Sequence, residues 1–243
     1  MLFNRNYSAT SGGSFDNTPP GIMFEILEPC KGDCQHMAEI HFKAMHSNPL
    51  LHAQFPTEES IRHLETFLGR HYEVVRSLAA YRALIAKHIA YGCVAGFACW
   101  ETDISDGEQE HGKAEDSDLR YSKGCRKEYL EQYAALAANA EKEVMRGEPC
   151  YHLSFVCVHP DYQGQGAGTL LAEAVLSRAQ ARSVPVYLES TPEAVRIYER
   201  LGFVAVGGFE MEIPRSGANT PTEKYREVCM LWRPSPQISS DAQ

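Results

Sequence analysis

The most informative segment of this chain is Gln163-Gly164-Gln165-Gly166-Ala167-Gly168. It stands between an apolar run of strand type, His152 to Val158, and a helix predicted from Thr169 to Arg182. The free N–H groups of a helix's first turn converge on one spot, where the helix macrodipole also favours negative charge. Glycines remove the side chains that would keep a phosphate away from this backbone. The junction therefore predicts an anion-binding turn.

Two common phosphate-binding patterns do not fit this turn. A nucleotide P-loop requires Gly-Lys-Ser/Thr, whereas Gly168-Thr169-Leu170 supplies no lysine. A dinucleotide fingerprint requires G-x-G-x-x-G, and counting from Gly164 puts Thr169 where the third glycine belongs. The residues therefore exclude both patterns.

The same six residues resemble the Q/R-x-x-G-x-G/A signature of the GNAT superfamily of acetyltransferases. The flanks are similar as well, with Val158-His159-Pro160-Asp161-Tyr162 before the signature and Ala194 to Phe203 after it, in the usual order. The resemblance covers 151–205. It implies an α/β (α+β) fold with a mixed, mostly antiparallel central sheet, flanked by helices and splayed at the cofactor strand. It also implies acetyl-CoA as the co-substrate.

The resemblance indicates which residues bind acetyl-CoA. In the family, the backbone amides of the signature hold the pyrophosphate, and the preceding strand pairs its backbone with the pantetheine arm. The family often has Asn seven residues before its tyrosine, and here Thr191 stands at that position. The implied cofactor-binding set is Val156, Cys157, Val158, Gln163, Gly164, Gln165, Gly166, Ala167, Gly168, Thr169, Thr191 and Tyr198.

Acetyl transfer to an amine needs a group that accepts the ammonium proton and an acid for the leaving thiolate. By the resemblance, the acid is Tyr198. As the base we predict His152, at the first position of the His-x-His pattern of arylalkylamine N-acetyltransferases, in which Ser154 replaces the second histidine. Glu101, at the end of the preceding strand, is the rival candidate, and Glu189 is a further one.

Composition narrows the class of protein. The chain has 243 residues, of which 44% are hydrophobic and 23% charged, as in ordinary globular proteins. Its net charge of −9 argues against a broad nucleic-acid surface and mildly favours a cationic acceptor. No apolar run reaches the roughly 18 residues of a membrane span, and residues 1–20 lack the apolar core of a signal peptide. We therefore expect a cytoplasmic protein without a membrane partner, with nuclear entry left open.

A metal site is not expected. The eight cysteines are scattered along the chain without a dense framework, so they are interpreted as free thiols. Cys30, Cys34 and His36 lie close in sequence, but no second pair follows at the spacing of a zinc finger.

One N-acetyltransferase domain is predicted over 21–234, between a flexible leader at 1–20 and a tail at 235–243. Seven acidic residues crowd into 103–120, and a helix is predicted over 126–146. We interpret 103–149 as an insertion between two strands. The other predicted elements are strands at 23–27, 83–102 (a pair), 184–189, 203–213 and 228–232, and helices at 33–45, from Thr57, and from Pro192 to Gly202.

Three functions remain open at this point. The first is direct transfer of the acetyl group from acetyl-CoA to a primary amine of a small molecule. The second is acetylation of a protein lysine or N-terminus. The third is a non-catalytic acyl-CoA-binding module, against which the retained Tyr198 argues. The expected assembly is a monomer or a homodimer.

Overall fold

The computed structural model describes residues 23–78, 80–102 and 123–236. The strands are β1 Phe24–Leu27, β2 Tyr81–His88, β3 Val94–Thr102, β4 Tyr151–Val158, β5 Val186–Ser190, β6 Val204–Pro214 and β7 Pro221–Trp232. The helices are α1 Asp33–Met45, α2 Pro49–Gln54, α3 Glu58–Val75, α4 Lys127–Met145, α5 Ala167–Arg182 and α6 Val195–Arg200. A short 3₁₀ turn, Pro160–Tyr162, leads into the glycine turn.

The seven strands form one sheet in the order β1-β2-β3-β4-β5-β7-β6. Every pairing is antiparallel except that of β4 with β5, which is parallel. The predicted fold class, a mixed and mostly antiparallel sheet flanked by helices, is confirmed. Within the described ranges, no helix is long and apolar enough to cross a membrane.

Helices cover both faces of the sheet. Helix α5 buries Leu171 and Val175 against one face, together with Leu153 of β4 and Met230 of β7. Helices α1 and α3 cover the opposite face of β2, β3 and β4. Helix α4 packs on β6, where α2 also contributes to a small apolar cluster. The glycine turn lies at the junction of β4 with α5.

Several predicted elements match the structure closely. Helix α1 has the predicted bounds, Asp33–Met45. The hydroxyl cap predicted at Thr57 is present as a capping box with Ser60. Helix α4 falls within the predicted 126–146, and Tyr129 and Tyr133 of the predicted inner face pack against the cluster beside β6.

Four element predictions need correction. Helix α2 was not predicted, although Asn48 caps it and Pro49 is its first residue. Helix α5 begins at Ala167 instead of Thr169, so the last glycine of the signature is helical. Helix α6 begins at Val195 rather than Pro192, because a hydrogen-bonded turn from Thr191 to Ala194 comes first. Strand β7 begins at Pro221 rather than Val228, because it pairs with β6 along its length.

The leader at 1–20, the acidic run at 103–120 and residues 237–243 of the tail lie outside the described residues. The single domain over 21–234 and the insertion at 103–149 stay predictions.

Candidate active site

A gap opens between β4 and β5. The two strands pair only at Tyr151 with Val186 and at His152 with Tyr187. Beyond His152, β4 remains paired with β3 as far as Val158, while β5 remains paired with β7. Among the described residues, the β5-facing backbone of β4 therefore has no strand partner along the part that leads to the glycine turn. This is the predicted splay, and it can accept an extended molecule by strand-like hydrogen bonding.

The glycine turn closes the open end of this gap. Gly164 and Gly166 have φ values of 75° and 91°, in the left-handed region that favours glycine. Gly166 is the N-cap of α5 and has no side chain to cap the first turn, so the amides of that turn are free for an anion. A Cβ added at Gly166 would meet no atom within 4 Å.

Gly168 has a different role from the other two glycines. It lies inside the first turn of α5, where an added Cβ would come 3.3 Å from Cγ2 of Val158. The absence of a side chain thus lets α5 approach β4 closely, which sets the distance between the anion-binding amides and the strand.

The two glutamines of the signature support the turn with their side chains. Gln163 donates through Nε2 to the carbonyl of Val158 at 3.2 Å, and Gln165 donates to the carbonyl of Asp161 at 2.8 Å. These bonds fix the loop against the end of β4, while its backbone amides face the anion site.

A cavity of about 260 Å³ lies under the turn and along β4. The predicted cofactor residues that line it are Val156, Val158, Gln163, Gly164, Gly166, Ala167, Gly168, Thr169 and Tyr198. Sequence reasoning missed five further lining residues, Tyr162, Ala172, Ala194, Ile197 and Arg200, of which the last brings a positive charge to the site.

Three predicted residues do not line this cavity. Cys157 is 4% exposed and packs toward α1 and α3, and burial raises the pKa of its thiol to about 12. Gln165 is exposed on the outside of the turn. Thr191 lies just after β5, and its Oγ1 is buried without a hydrogen-bond partner. That orphaned hydroxyl fits the predicted hydrogen bond to a cofactor.

Tyr198 lies where the gap and the cavity meet. Its ring packs edge-on against Phe203, with ring centroids 5.5 Å apart. Burial raises the pKa of its hydroxyl, and proximity to Cys157 on β4 and Glu227 on β7 raises the pKa further. The hydroxyl of Tyr198 therefore interacts electrostatically with strands on both sides of the gap. It stays protonated at neutral pH, as a general acid must.

His152 is held by two carboxylates. Its Nε2 lies 2.7 Å from Oε2 of Glu189, and its Nδ1 lies 3.5 Å from Oε2 of Glu141 on α4. Burial lowers its pKa, but the hydrogen bonds and charges of the two carboxylates outweigh that effect and raise the pKa to about 10. At neutral pH this side chain is an imidazolium with both nitrogens occupied, which is a poor arrangement for accepting a proton.

The other two base candidates have equally clear positions. Glu101 is exposed, and it pairs across the sheet with His152 at the closed end of the gap. His152 and Val158 are six residue steps of about 3.3 Å apart, so this end of β4 lies about 20 Å from Val158. Glu189 is committed to His152 through one oxygen, while its Oε1 is buried without a hydrogen-bond partner.

Sequence reasoning missed a buried carboxyl next to the gap. Glu227 of β7 is 4% exposed and accepts a hydrogen bond from the hydroxyl of Tyr225, which in turn accepts one from Asn48 at 3.3 Å. Its Oε2 is buried and has no hydrogen-bond partner in the described part of the chain. Burial raises the pKa of this carboxyl to about 7, and the charges of Glu189 and Glu193 add to the increase. The available signal was a glutamate directly before the apolar run Val228 to Trp232.

A second cavity is an alternative phosphate-binding site if only its positive charge is considered. It has a volume of about 490 Å³ and lies at the opposite end of the sheet, between the start of β2 and the end of α5. Four arginines line it, Arg76, Arg82, Arg178 and Arg182. However, the strands there, β2, β3 and the first residues of β4, are all paired. The cavity contains none of the predicted site residues, so the gap is the better candidate.

Comparison with known sequences identifies the domain type. Residues 122–213 match the family model of the acetyltransferase (GNAT) domain. An uncharacterised N-acetyltransferase of Schizosaccharomyces pombe is 36% identical over 52 residues, which is 21% of this chain and 22% of the relative. The chain thus matches only about a fifth of the length of that curated relative.

Comparison of structures finds the same fold in three proteins of low identity. The C-terminal condensation domain of Ebony, in complex with β-alanyl-dopamine, has a TM-score of 0.60 at 10% identity, covering 86% of this chain and 98% of that one. A mosquito arylalkylamine N-acetyltransferase-like protein has a TM-score of 0.56 at 13% identity, with 86% and 99% covered. A phosphinothricin acetyltransferase of Sinorhizobium meliloti, in complex with acetyl-CoA, has a TM-score of 0.53 at 12% identity, with 90% and 97% covered.

Proposed function

We propose that this chain, whose residues 122–213 match the acetyltransferase (GNAT) domain, transfers the acetyl group of acetyl-CoA directly to the primary amine of a small molecule. The observation that carries this proposal is the arrangement of the gap between β4 and β5, with an anion-binding turn at its open end and Tyr198 beside it. No other part of the described chain combines these features.

Donor binding would use the whole length of this arrangement. The pyrophosphate would lie on the first-turn amides of α5, at Ala167, Gly168 and Thr169. The pantetheine arm would extend along β4 beside Val156 and Val158, where the strand has a free edge. This path brings the thioester toward the middle of β4 and the hydroxyl of Tyr198.

Tyr198 would protonate the thiolate of CoA as the carbon–sulfur bond breaks. Its hydroxyl is protonated at neutral pH, so a proton is available when the thiolate forms. General acid catalysis of this kind contributes on the order of 10²-fold or more to the rate.

The base is assigned differently from the sequence-based prediction. His152 is closed in by Glu141 and Glu189, and Glu101 is exposed at the closed end of the gap. We therefore propose that His152 positions β4 against β5 and α4.

Charge supports a cationic acceptor. The net charge of −9 favours cations, and carboxyls of Glu189 and Glu227 lie beside the gap. Two of the proteins that share the fold are an arylalkylamine N-acetyltransferase-like protein and a domain bound to β-alanyl-dopamine, both connected with small amines.

The decisive experiment is acetyl-CoA calorimetry followed by an amine screen with a thiol-detecting dye. We expect acetyl-CoA to bind, and CoA to be released only when a primary amine is added. Binding without release for any amine, but with release for a lysine peptide or an N-terminal peptide, would replace the small-molecule acceptor with a protein acceptor. Binding without any release would favour the non-catalytic module.

A further inference from the structure

We propose that Glu227 accepts the proton of the acceptor's ammonium group. This inference rests on the proposed function and deepens it, because it makes the acceptor a cationic primary amine that approaches the thioester from the β7 side of the gap.

The register of the sheet places Glu227 at the gap. The last pair between β5 and β7 joins Ser190 to Val228, so Glu227 is the next residue along β7, beyond the point where β5 ends. Helix α6, which carries Tyr198, follows β5 directly in the chain. The two functional groups thus come from the two elements that border the widest part of the gap.

The electrostatics link the two groups as well. The charge of Glu227 raises the pKa of the Tyr198 hydroxyl, and so does the thiol of Cys157 on β4. Tyr198 is therefore near enough to interact electrostatically with both β4 and Glu227. An amine between Glu227 and the thioester would have a proton acceptor on one side and its target carbon on the other.

The carboxyl is fixed in place with one oxygen free. Tyr225 donates its hydroxyl proton to Oε1, and Asn48, which is fully buried, donates to the same hydroxyl. Among the described residues, Oε2 has no hydrogen-bond partner. A buried oxygen of a carboxyl without a partner is costly in a protein that only needs to be stable, and such groups concentrate at functional sites.

The groups around Glu227 set its protonation. Within the described residues they are Glu189 of β5, Glu193 of the turn before α6, Tyr133 of α4, Tyr198 of α6, and Tyr225 and Cys229 of β7. The two glutamates and burial hold the proton on Glu227, while the Tyr225 hydrogen bond opposes them. The resulting pKa near neutrality is what a base needs to take up and release a proton within one cycle.

The reaction then balances in protons and electrons. Glu227 in its carboxylate form takes one proton from the ammonium, and the neutral amine attacks the thioester carbon. The carbon–sulfur electron pair leaves with sulfur, which takes a proton from Tyr198. The nitrogen of the new amide gives its extra proton back to Tyr198, and Glu227 releases its proton to solvent. The products are the amide, CoA and one proton.

The test compares Glu227→Gln with Glu223→Gln, a control at an exposed glutamate on the same strand. The measured quantity is kcat/KM across pH 5.5–9.5, for a strongly basic alkylamine and for a weakly basic amine such as hydroxylamine. We expect Glu227→Gln to lower kcat/KM for the alkylamine by about 10²-fold or more at neutral pH. The deficit should shrink for hydroxylamine, which is already neutral. Acetyl-CoA affinity should not change, and Glu223→Gln should match the wild type.

Tyr225→Phe provides an independent readout if Glu227→Gln folds poorly. The Tyr225 hydrogen bond lowers the pKa of Glu227, so its loss should move the acidic limb of the rate profile to higher pH. Equal deficits for both amines, or an acidic limb unmoved in Tyr225→Phe, would overturn the assignment of Glu227 while the acetyltransferase activity stands. A wild-type protein that turns over no amine would instead overturn the proposed function.

Discussion

Nε2 of His152 lies 2.7 Å from Oε2 of Glu189, at the last residue of β4 that still pairs with β5. Because Nδ1 of the same ring also lies 3.5 Å from Glu141, one imidazolium joins β4, β5 and α4. This relationship supports the proposal that His152, the predicted base, is instead a structural cation at the closed end of the gap.

Replacing His152 should therefore change how stability depends on pH. The folded-state pKa of about 10 exceeds the ordinary 6.5, so the added stability is fully present below pH 6.5 and is lost as the pH rises toward 10. We expect His152→Gln to cost about 2 kcal/mol at pH 6, less than the 3–5 kcal/mol of a fully buried pair, since the ring is partly exposed. Urea unfolding at pH 6, 8 and 10 measures this difference. A difference that did not shrink with rising pH would contradict the charged state.

A side chain at Gly166 should prevent donor binding. Gly166→Leu would put a side chain over the first-turn amides of α5, where nothing else limits it, and calorimetry should detect no binding of acetyl-CoA. The positive φ adds strain, so the matched control is Gly217→Leu, at φ 78° with equal open space in the β6–β7 turn. Both variants lose stability from strain, but Gly217→Leu should bind acetyl-CoA normally. Unchanged affinity in Gly166→Leu would exclude the turn as the pyrophosphate site.

Removing the hydroxyl of Tyr198 should affect turnover without affecting donor affinity. Tyr198→Phe keeps the packing against Phe203 but removes the proton donor, so kcat should fall by about 10²-fold. Steady-state kinetics and acetyl-CoA calorimetry on the same preparation separate the two effects. Tyr129→Phe, which removes a hydroxyl on α4, is the control. Equal turnover in Tyr198→Phe and wild type would assign Tyr198 to packing alone.

Glu227 should make the protein less stable as the pH rises, whereas a salt-bridged carboxylate makes a protein more stable as the pH rises. Its folded pKa of about 7 lies above the ordinary 4.5, so the folded protein binds the extra proton, and stability falls as pH rises from 4.5 through 7. At 1.36 kcal/mol per unit, this loss is about 3 kcal/mol. Glu227→Gln should remove it and be relatively more stable above pH 7, measured by chemical unfolding at pH 5 and 8. A wild-type stability that did not fall relative to this variant would contradict the raised pKa.

Local sequence patterns predicted the parts of the fold that depend on neighbouring residues. The apolar spacing of α1, the cap of α3 at Thr57 and the strand–glycine–helix junction are all short-range signals, and each matches the structure. The short α2 went undetected because six residues give too little periodicity, although Asn48 and Pro49 marked its start.

The environment of the predicted base, His152, could not be predicted from local sequence patterns. His152 owes its charge to Glu141 on α4 and Glu189 on β5, which come together only through tertiary packing. Glu227 was missed because the predicted last strand began at Val228, and the pairing of β7 with β6 that extends this strand is a long-range contact. Short-range sequence signals thus underlie the proposed donor half of the site, and the proposed acid–base half depends on tertiary packing.

The short parallel contact between β4 and β5 has a consequence for the order in which substrates bind. Two residue pairs join the β1–β4 part of the sheet to the β5–β7–β6 part, and the rest of that boundary is open. A donor bound along the open edge would form part of the acceptor-binding surface. The amine therefore has a complete binding surface only after the donor has bound. We therefore expect sequential kinetics with compulsory order, in which a dead-end CoA analogue competes with acetyl-CoA and does not compete with the amine.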